Sequence, residues 1–124
     1  MTASKRVLIA EDEPSIVLSL EFLMHEAGYE VRSVSDGAQV LDEVAAFEPD
    51  VILLDVMLPP RNGFDVCRAL RADTRFDALK IVLLTAKGRQ GEIEKGLALG
   101  ADLYVTKPFA TRDLLAAVQK LAEA

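Results

Sequence analysis

The sequence predicts an α/β fold whose core is a mainly parallel sheet of five strands. Short apolar runs alternate with longer segments of helical periodicity five times along the 124 residues, and this alternation is typical of repeated strand–helix units. Three runs, at residues 7–10, 51–54 and 81–84, are continuous apolar blocks, as expected of strands buried on both faces. The length fits a single domain over residues 1–124, with a core from about residue 6 to residue 122.

The two remaining strand-like runs have the character of edge strands. Residues 31–34 mix apolar and polar side chains, and residues 103–106 form a short run that contains Tyr104. Placing both at the edges predicts the strand order 2-1-3-4-5. This order matches the known flavodoxin-like fold, a three-layer (βα)5 sandwich, so it is a match to an existing architecture and not an independent derivation.

Five helices are predicted between and after the strands. Pro14 suits the first turn of the first helix, and Gly28 suits the position just past its end. Gly91 and Gly96 weaken the fourth helix, since glycine in a helix interior costs about 0.5–1 kcal/mol relative to alanine. Gly100 closes that helix. The predicted helices cover residues 14–27, about 38–47, about 64–72, about 89–99 and about 111–122.

Composition excludes several classes of protein. The net charge of −6 argues against direct binding to nucleic acid through a broad basic surface. No apolar stretch is long enough to span a membrane, and the first residues lack the apolar core of a signal peptide. The single cysteine, Cys67, cannot form an internal disulfide, so we expect a cytoplasmic protein in which Cys67 is a packing residue. His25, near the end of the first helix, is expected on the surface.

Polar side chains follow four of the five strands. Glu11 and Asp12 follow the first, Asp55 the third, Thr85 the fourth and Lys107 the fifth. In a parallel sheet of this order these groups meet at one edge, beside the topological switch between strands one and three, where ligands bind. Asp55 is the most informative of them, because an aspartate is disfavoured in strands and four apolar residues precede it.

The acidic cluster indicates a site for a divalent cation and for phosphoryl transfer. Three neighbouring carboxylates repel one another, and Mg²⁺ prefers a small number of carboxylates together with water and a phosphate oxygen. Mg²⁺ and Lys107 together balance the formal charge of Glu11, Asp12 and Asp55. A carboxylate held beside a metal and an ammonium can attack phosphorus and form an aspartyl phosphate. Thr85 and Lys107 are placed to neutralise the phosphoryl oxygens.

Each of these residues also has an ordinary structural explanation when it is considered alone. Asp12 is equally well explained as the N-cap of the helix that begins at Pro14. Thr85 is an unremarkable strand residue, and a lone Lys107 is usually a solvated charge. Their combination at the ends of four strands carries the functional prediction.

Four sequence motifs resemble the receiver domain of two-component response regulators, the family that includes chemotaxis regulators. They are Ala10-Glu11-Asp12-Glu13-Pro14, Leu54-Asp55-Val56-Met57-Leu58-Pro59, Leu84-Thr85-Ala86 and Thr106-Lys107-Pro108-Phe109. The resemblance extends from about residue 6 to residue 122 and includes Asn62-Gly63 and Gly100-Ala101-Asp102.

The resemblance implies a role for each site residue. Asp55 would accept a phosphoryl group from a sensor histidine kinase or phosphotransfer protein. Asp12, Asp55 and the Met57 carbonyl would bind Mg²⁺, with Glu11 acting through the metal's water shell. Thr85 and Lys107 would bind the phosphoryl oxygens, and Lys107-Pro108 would be a cis peptide.

The resemblance also implies a switch and a lifetime for the phosphoryl group. Thr85 would move toward the phosphoryl group and Tyr104 would swing inward, changing the surface formed by the fourth helix, fifth strand and fifth helix. Met57 and Lys87 occupy the positions that control access of water, and both are long enough to predict slow autodephosphorylation without other enzymatic activity.

Several positions depart from the family pattern. Glu11 stands where an aspartate is more usual. Pro60 and Arg61, in the loop after Asp55, are expected either to stiffen that loop or to alter kinase docking, and to leave the acidic site intact. Three further positions where related dimer-forming receivers carry charges are Ala98, Leu103 and Ala117. These weaken the case for a salt-bridged homodimer, although a phosphorylation-dependent homodimer stays open. So does the choice between a stand-alone protein and a receiver excised from a protein with an effector domain.

Three rival functions fit the sequence less well. A phosphatase of the haloacid dehalogenase type needs a second aspartate two residues after the nucleophile, where this chain has Met57. A flavodoxin needs a hydroxyl-rich phosphate loop where this chain has Glu11-Asp12-Glu13. A pure binding module leaves the acidic cluster unexplained.

Overall fold

A computed structural model describes residues 5–86, 94–95 and 97–123. Their main feature is a five-stranded parallel sheet in the order β2-β1-β3-β4-β5, which confirms the predicted fold class and strand order. The strands are β1 (Arg6–Ala10), β2 (Glu30–Val34), β3 (Val51–Asp55), β4 (Lys80–Ala86) and β5 (Leu103–Lys107).

Burial along the strands explains the order. All five residues of β3 are buried, as are four of the five in β1, whereas β2 has one buried residue and β5 has none. Central strands carry apolar side chains on both faces because helices cover both faces of a parallel sheet. The mixed composition of β2 and the half-buried positions of β5 therefore identify the two edges.

Helices pack on both faces of the sheet. They are α1 (Pro14–Glu26), α2 (Val40–Phe47), α3 (Gly63–Ala72) and the C-terminal helix (Thr111–Glu123). One core cluster joins α2 and α3 to the sheet face that carries Leu8 and Leu54. The other joins α1 and the C-terminal helix to the face that carries Ile9 and Leu53. Side chains alternate between the faces along each strand, and the result is the predicted three-layer sandwich.

The cap of α1 and the start of α2 differ from the sequence-based expectation, whereas α1 begins at Pro14 as predicted. The N-cap of α1 is Glu13, whose carboxylate accepts the Ser15 N–H at 3.4 Å, so the alternative role of Asp12 as that cap is wrong. A 3-10 turn at Gly37–Gln39 precedes α2, because Asp36 accepts the Ala38 N–H at 2.8 Å and caps the turn first. Thus α2 begins two residues later than predicted.

The predicted fourth helix lies largely outside the described residues. Residues 94–95 and 97–98 are helical, and Gly100 follows with a φ of 103°, in agreement with its expected closing role. Lys87, Gly91 and Gly96 are outside the described residues. Lys107-Pro108 is cis as the resemblance implied, and Pro59-Pro60 is cis as well.

The exposure of His25 and of Cys67 agrees with the sequence-based expectation. His25 is exposed and Cys67 is fully buried, as expected. Within the described part of the chain, no helix has the length and apolar character needed to cross a bilayer.

Candidate functional site

The carboxyl ends of four strands bring the predicted polar residues together. Asp55 is the last residue of β3 and lies opposite Leu84 of β4, so Thr85 is one step further along the neighbouring strand. Thr85 pairs in turn with Thr106 of β5, and Lys107 ends that strand. Asp55 and Thr85 belong to their strands and do not follow them, which places both within hydrogen-bonded backbone.

Lys107 connects two buried carboxylates. Its Nζ donates to Glu11 Oε1 at 2.7 Å and to Asp55 Oδ2 at 3.0 Å. The side chain of Lys107 is 24% exposed, whereas those of Glu11 and Asp55 are 0% and 6% exposed. Burial by itself lowers the pKa of the Lys107 ammonium, but hydrogen bonds to Glu11 and Asp55 outweigh that effect and leave the pKa raised. Lys107 is therefore a charged group at neutral pH.

Glu11 has a second structural role that the sequence did not suggest. Its Oε2 accepts the backbone N–H groups of Asp12 at 3.0 Å and Glu13 at 3.1 Å, so it shapes the turn from β1 into α1. Burial raises the pKa of the Glu11 carboxyl, and the nearby Asp55 raises it further, while Lys107 and the Glu13 N–H lower it by less. Burial is thus the main reason that the pKa of Glu11 is raised, and the neighbouring Asp55 adds to it.

Asp12 completes an acidic group with the composition of a magnesium site. Glu11, Asp12 and Asp55 each offer one carboxylate oxygen, and these atoms all lie within 4.8 Å of one another. Asp12 is exposed, so its carboxylate is open to solvent beside two buried ones. With Lys107 charged, the three ionised carboxylates leave two net negative charges, which a divalent cation neutralises. Hard oxygen ligands and this charge fit Mg²⁺.

The loop after Asp55 folds back on the side chain of Asp55. The Met57 N–H donates to Asp55 Oδ1 at 2.9 Å, so together with Lys107 it orients both carboxylate oxygens. Gly63 passes so close that a Cβ there would lie 2.6 Å from the Asp55 carbonyl oxygen. The N-terminus of α3 therefore lies against the backbone of Asp55. Asn62 caps this helix, because its Oδ1 accepts the Asp65 N–H at 2.9 Å.

The remaining predicted residues occupy different environments. Thr85 is 3% exposed. Tyr104 is half-buried, its ring packs against the core cluster shared with α2 and α3, and its hydroxyl oxygen is buried. Met57 is 69% exposed, with its side chain in solvent. Lys87, the other residue expected to control access of water, is outside the described part of the chain.

Sequence reasoning missed the close approach of Gly63 and the backbone contacts of Glu11. An Asn-Gly pair shortly after Asp55 was the available signal for the former, because glycine is used where backbones meet. Glu11 gave no comparable signal, since its contacts depend on how the chain turns after β1.

Comparison with known sequences identifies relatives over almost the whole chain. The family model described as response regulator receiver domain matches residues 7–119. The DNA-binding response regulator MtrA of Mycolicibacterium smegmatis is 42% identical over 118 residues, which cover 95% of this chain and 50% of that protein. The chain thus spans half the length of this curated relative.

Comparison with solved structures gives the same fold. A response regulator of Chloroflexus aurantiacus superimposes with a TM-score of 0.93 at 30% identity, covering 98% of this chain and 100% of that one. The receiver domain of the sensor histidine kinase PA1611 of Pseudomonas aeruginosa has a TM-score of 0.88 at 31% identity, with 98% and 100% covered. The PA1611 domain has a magnesium ion coordinated in its active-site cleft.

Proposed function

The chain belongs to the response regulator receiver domain family, and from this premise we propose that Asp55 accepts a phosphoryl group from a phosphohistidine. The donor would be a sensor histidine kinase or a phosphotransfer protein. A receiver domain is not a classical enzyme, and self-catalysed phosphorylation followed by slow autodephosphorylation is the whole of the proposed chemistry. The observation that carries the proposal is the Lys107 ammonium held 3.0 Å from Asp55 in a cluster of three carboxylates.

Asp55 would act as the nucleophile. One carboxylate oxygen forms a bond to phosphorus while the phosphorus–nitrogen bond of the donor breaks, and the electron pair of that bond leaves with the imidazole nitrogen. The Met57 N–H and Lys107 hold the carboxylate in a fixed orientation before the donor arrives. Lys107 would then neutralise negative charge on the transferred oxygens, and the Thr85 hydroxyl would donate a hydrogen bond to one of them.

The acidic cluster supports a magnesium cofactor, with Asp12, Asp55 and the Met57 carbonyl as proposed ligands. Mg²⁺ would supply neutralisation of the phosphoryl oxygens as they approach the carboxylates. Both oxygens of Glu11 are already engaged, one by Lys107 and one by two backbone N–H groups. This supports the expectation that Glu11 acts on the metal through water and not directly.

Phosphorylation would be read out through Thr85 and Tyr104. A phosphoryl group adds negative charge and acceptor oxygens at one point of a packed site. Thr85, buried on the strand next to Asp55, would move toward it, and Tyr104 on β5 would change its packing. The surface of the predicted fourth helix, β5 and the C-terminal helix is the proposed output face. Met57 and Lys87 would slow hydrolysis by limiting access of water.

The extent of the domain, its location and its partners are also part of the proposal. We place a single receiver domain over residues 1–124, working in the cytoplasm, with no direct contact to nucleic acid or membrane. The output is an attached effector domain or a separate protein. A phosphorylation-dependent homodimer is retained as a weaker candidate, because Ala98 is exposed and uncharged and Leu103 and Ala117 are half-buried.

Intact-mass analysis after treatment with acetyl phosphate and MgCl₂ tests the proposal. The wild type should gain one phosphoryl group, and excess EDTA should suppress the gain. Asp55→Asn should gain none, whereas the matched control Asp65→Asn, an exposed acid on α3, should behave as the wild type. Full labelling of Asp55→Asn would overturn the assignment.

A further inference from the structure

Arg71, near the end of α3, joins three separate segments of the chain at the end of the sheet opposite Asp55. Its Nε donates to the Gly100 carbonyl at 2.8 Å, its Nη2 to Asp102 Oδ2 at 2.7 Å and its Nη1 to the Phe76 carbonyl at 3.2 Å. The side chains of Arg71 and Asp102 are 21% and 27% exposed, so the pair is partly shielded from water. A guanidinium with three directed contacts is a rigid fork.

Asp102 extends the pairing of β4 and β5 by one step. Its backbone N–H donates to the Ile81 carbonyl at 2.8 Å, and its Oδ2 accepts the Ile81 N–H at 2.8 Å. The same carboxylate oxygen therefore accepts hydrogen bonds from both the Ile81 N–H and Arg71 Nη2. Since Asp102 immediately precedes β5, whose only partner among the described strands is β4, this contact fixes where the edge strand begins.

The turn before β5 is held against α3 by further contacts. The Arg71 side chain fills the position next to Gly100 so completely that a Cβ there would lie 2.8 Å from Arg71 Cγ. The Cys67 thiol points to the Leu99 carbonyl, with Sγ at 3.9 Å from the oxygen. Leu99 and Tyr104 pack on the same core cluster as Cys67. Residues 99–102 are thus fixed to α3 two positions before Tyr104.

We propose that Arg71 is a positioning residue for the switch: through Gly100 and Asp102 it holds the start of β5, and with it Tyr104, in the unphosphorylated arrangement. Without the Arg71 contacts, the start of the edge strand β5 would be free to move. The Tyr104 ring would then sample, without a phosphoryl group, the packing that phosphorylation is proposed to induce. This inference rests on the proposed function of Tyr104 as a residue that responds to phosphorylation. Hinges of this kind are short element-terminal segments that absorb a conformational change.

Fluorine NMR of 3-fluorotyrosine-labelled protein tests the proposal directly, because the chain has 2 tyrosines and Tyr29→Phe assigns the Tyr104 line. The line is recorded with and without Mg²⁺ and beryllofluoride, a phosphoryl mimic. Arg71→Ala should broaden the line or move it, without beryllofluoride, toward the position it has in the liganded wild type. Arg71→Lys, which keeps the charge and loses the fork, should have an intermediate effect.

Matched variants separate positioning from stability. Arg68→Ala removes an exposed arginine from the same helix and should leave the line unchanged. Asp102→Asn keeps an oxygen that can accept the Ile81 N–H but removes the negative charge that pairs with Arg71. This variant should change the Tyr104 line in the same way, and it replaces Arg71→Ala if that variant does not fold. A Tyr104 line of wild-type position and width in Arg71→Ala and Asp102→Asn, with only a lower melting temperature, would overturn the proposal.

The same spectra distinguish this inference from the proposed function. If beryllofluoride leaves the wild-type Tyr104 line unmoved, the proposed switch is wrong. In that case a broadened Tyr104 line in Arg71→Ala would still support the role of Arg71 in holding the start of β5. An unchanged line would still refute that role.

Discussion

Replacing Gly63 by alanine should damage the site through the backbone of Asp55. The new Cβ would lie 2.6 Å from the Asp55 carbonyl oxygen and 2.8 Å from Val56 Cα, where ordinary contact begins at 3.4 Å. Both neighbours are backbone atoms, so the loop or the start of α3 must shift by about 0.8 Å. Overpacking of this kind costs about 1–3 kcal/mol, reduced by about 0.5–1 kcal/mol for the helix preference of alanine. We expect a net loss of about 0–2.5 kcal/mol in the free energy of unfolding.

The displacement should also slow phosphorylation, because a misplacement of about 1 Å at a reacting group can cost about 10²-fold in rate. Gly28→Ala is the matched control. Gly28 has a φ of +93° with nothing within 4 Å of the added Cβ, so the control carries backbone strain of about 1–2 kcal/mol far from Asp55. Urea unfolding gives the two stabilities, and the time course of mass gain with acetyl phosphate gives the rates. Wild-type phosphorylation by a folded Gly63→Ala would refute the reasoning.

Three other substitutions probe charge and burial. Lys107→Ala should slow phosphorylation by about 10²–10³-fold, as expected for loss of a donor that stabilises developing charge; a mass time course within threefold of wild type would contradict this. Asp12→Asn should leave the free energy of unfolding within about 0.5 kcal/mol, because Asp12 is exposed, yet weaken Mg²⁺ binding about tenfold or more by calorimetry; unchanged affinity would remove Asp12 from the ligand set. Burial raises the pKa of the Cys67 thiol, so the unfolded chain releases this proton first and stability should fall as pH rises above the ordinary value of 9.0. Between pH 8 and pH 10, the free energy of unfolding measured with urea should fall less for Cys67→Ala than for the wild type. An equal fall in both proteins would count against the burial effect.

The sheet could be predicted because burial leaves a pattern in the sequence. A strand covered on both faces must be apolar at every position, as β3 is, and an edge strand such as β2 can carry Arg32 and Ser33. Once the order is known, the meeting of Asp55, Thr85 and Lys107 follows from the rule that parallel strands end at the same edge. The meeting of these residues at one edge was therefore predictable once the strand order had been matched to a known architecture.

The details that depend on competition between neighbours were not predictable. Asp12 is the better N-cap residue by type, yet the path of the turn, held by Glu11, places Glu13 at the cap. The pairing of Arg71 with Asp102 is long-range, across 31 positions. It has no local signal, since an arginine at the end of a helix usually contacts water.

Locating the phosphoryl group tests the central claim most directly. Borohydride reduces the acyl phosphate of an aspartate to homoserine, which tandem mass spectrometry places at one position in the sequence. After treatment with acetyl phosphate and Mg²⁺, homoserine should appear at position 55 and nowhere else. Homoserine at position 12, a product of comparable yield in Asp55→Asn, or phosphorylated protein that yields no homoserine would contradict the assignment of Asp55 as phosphoacceptor.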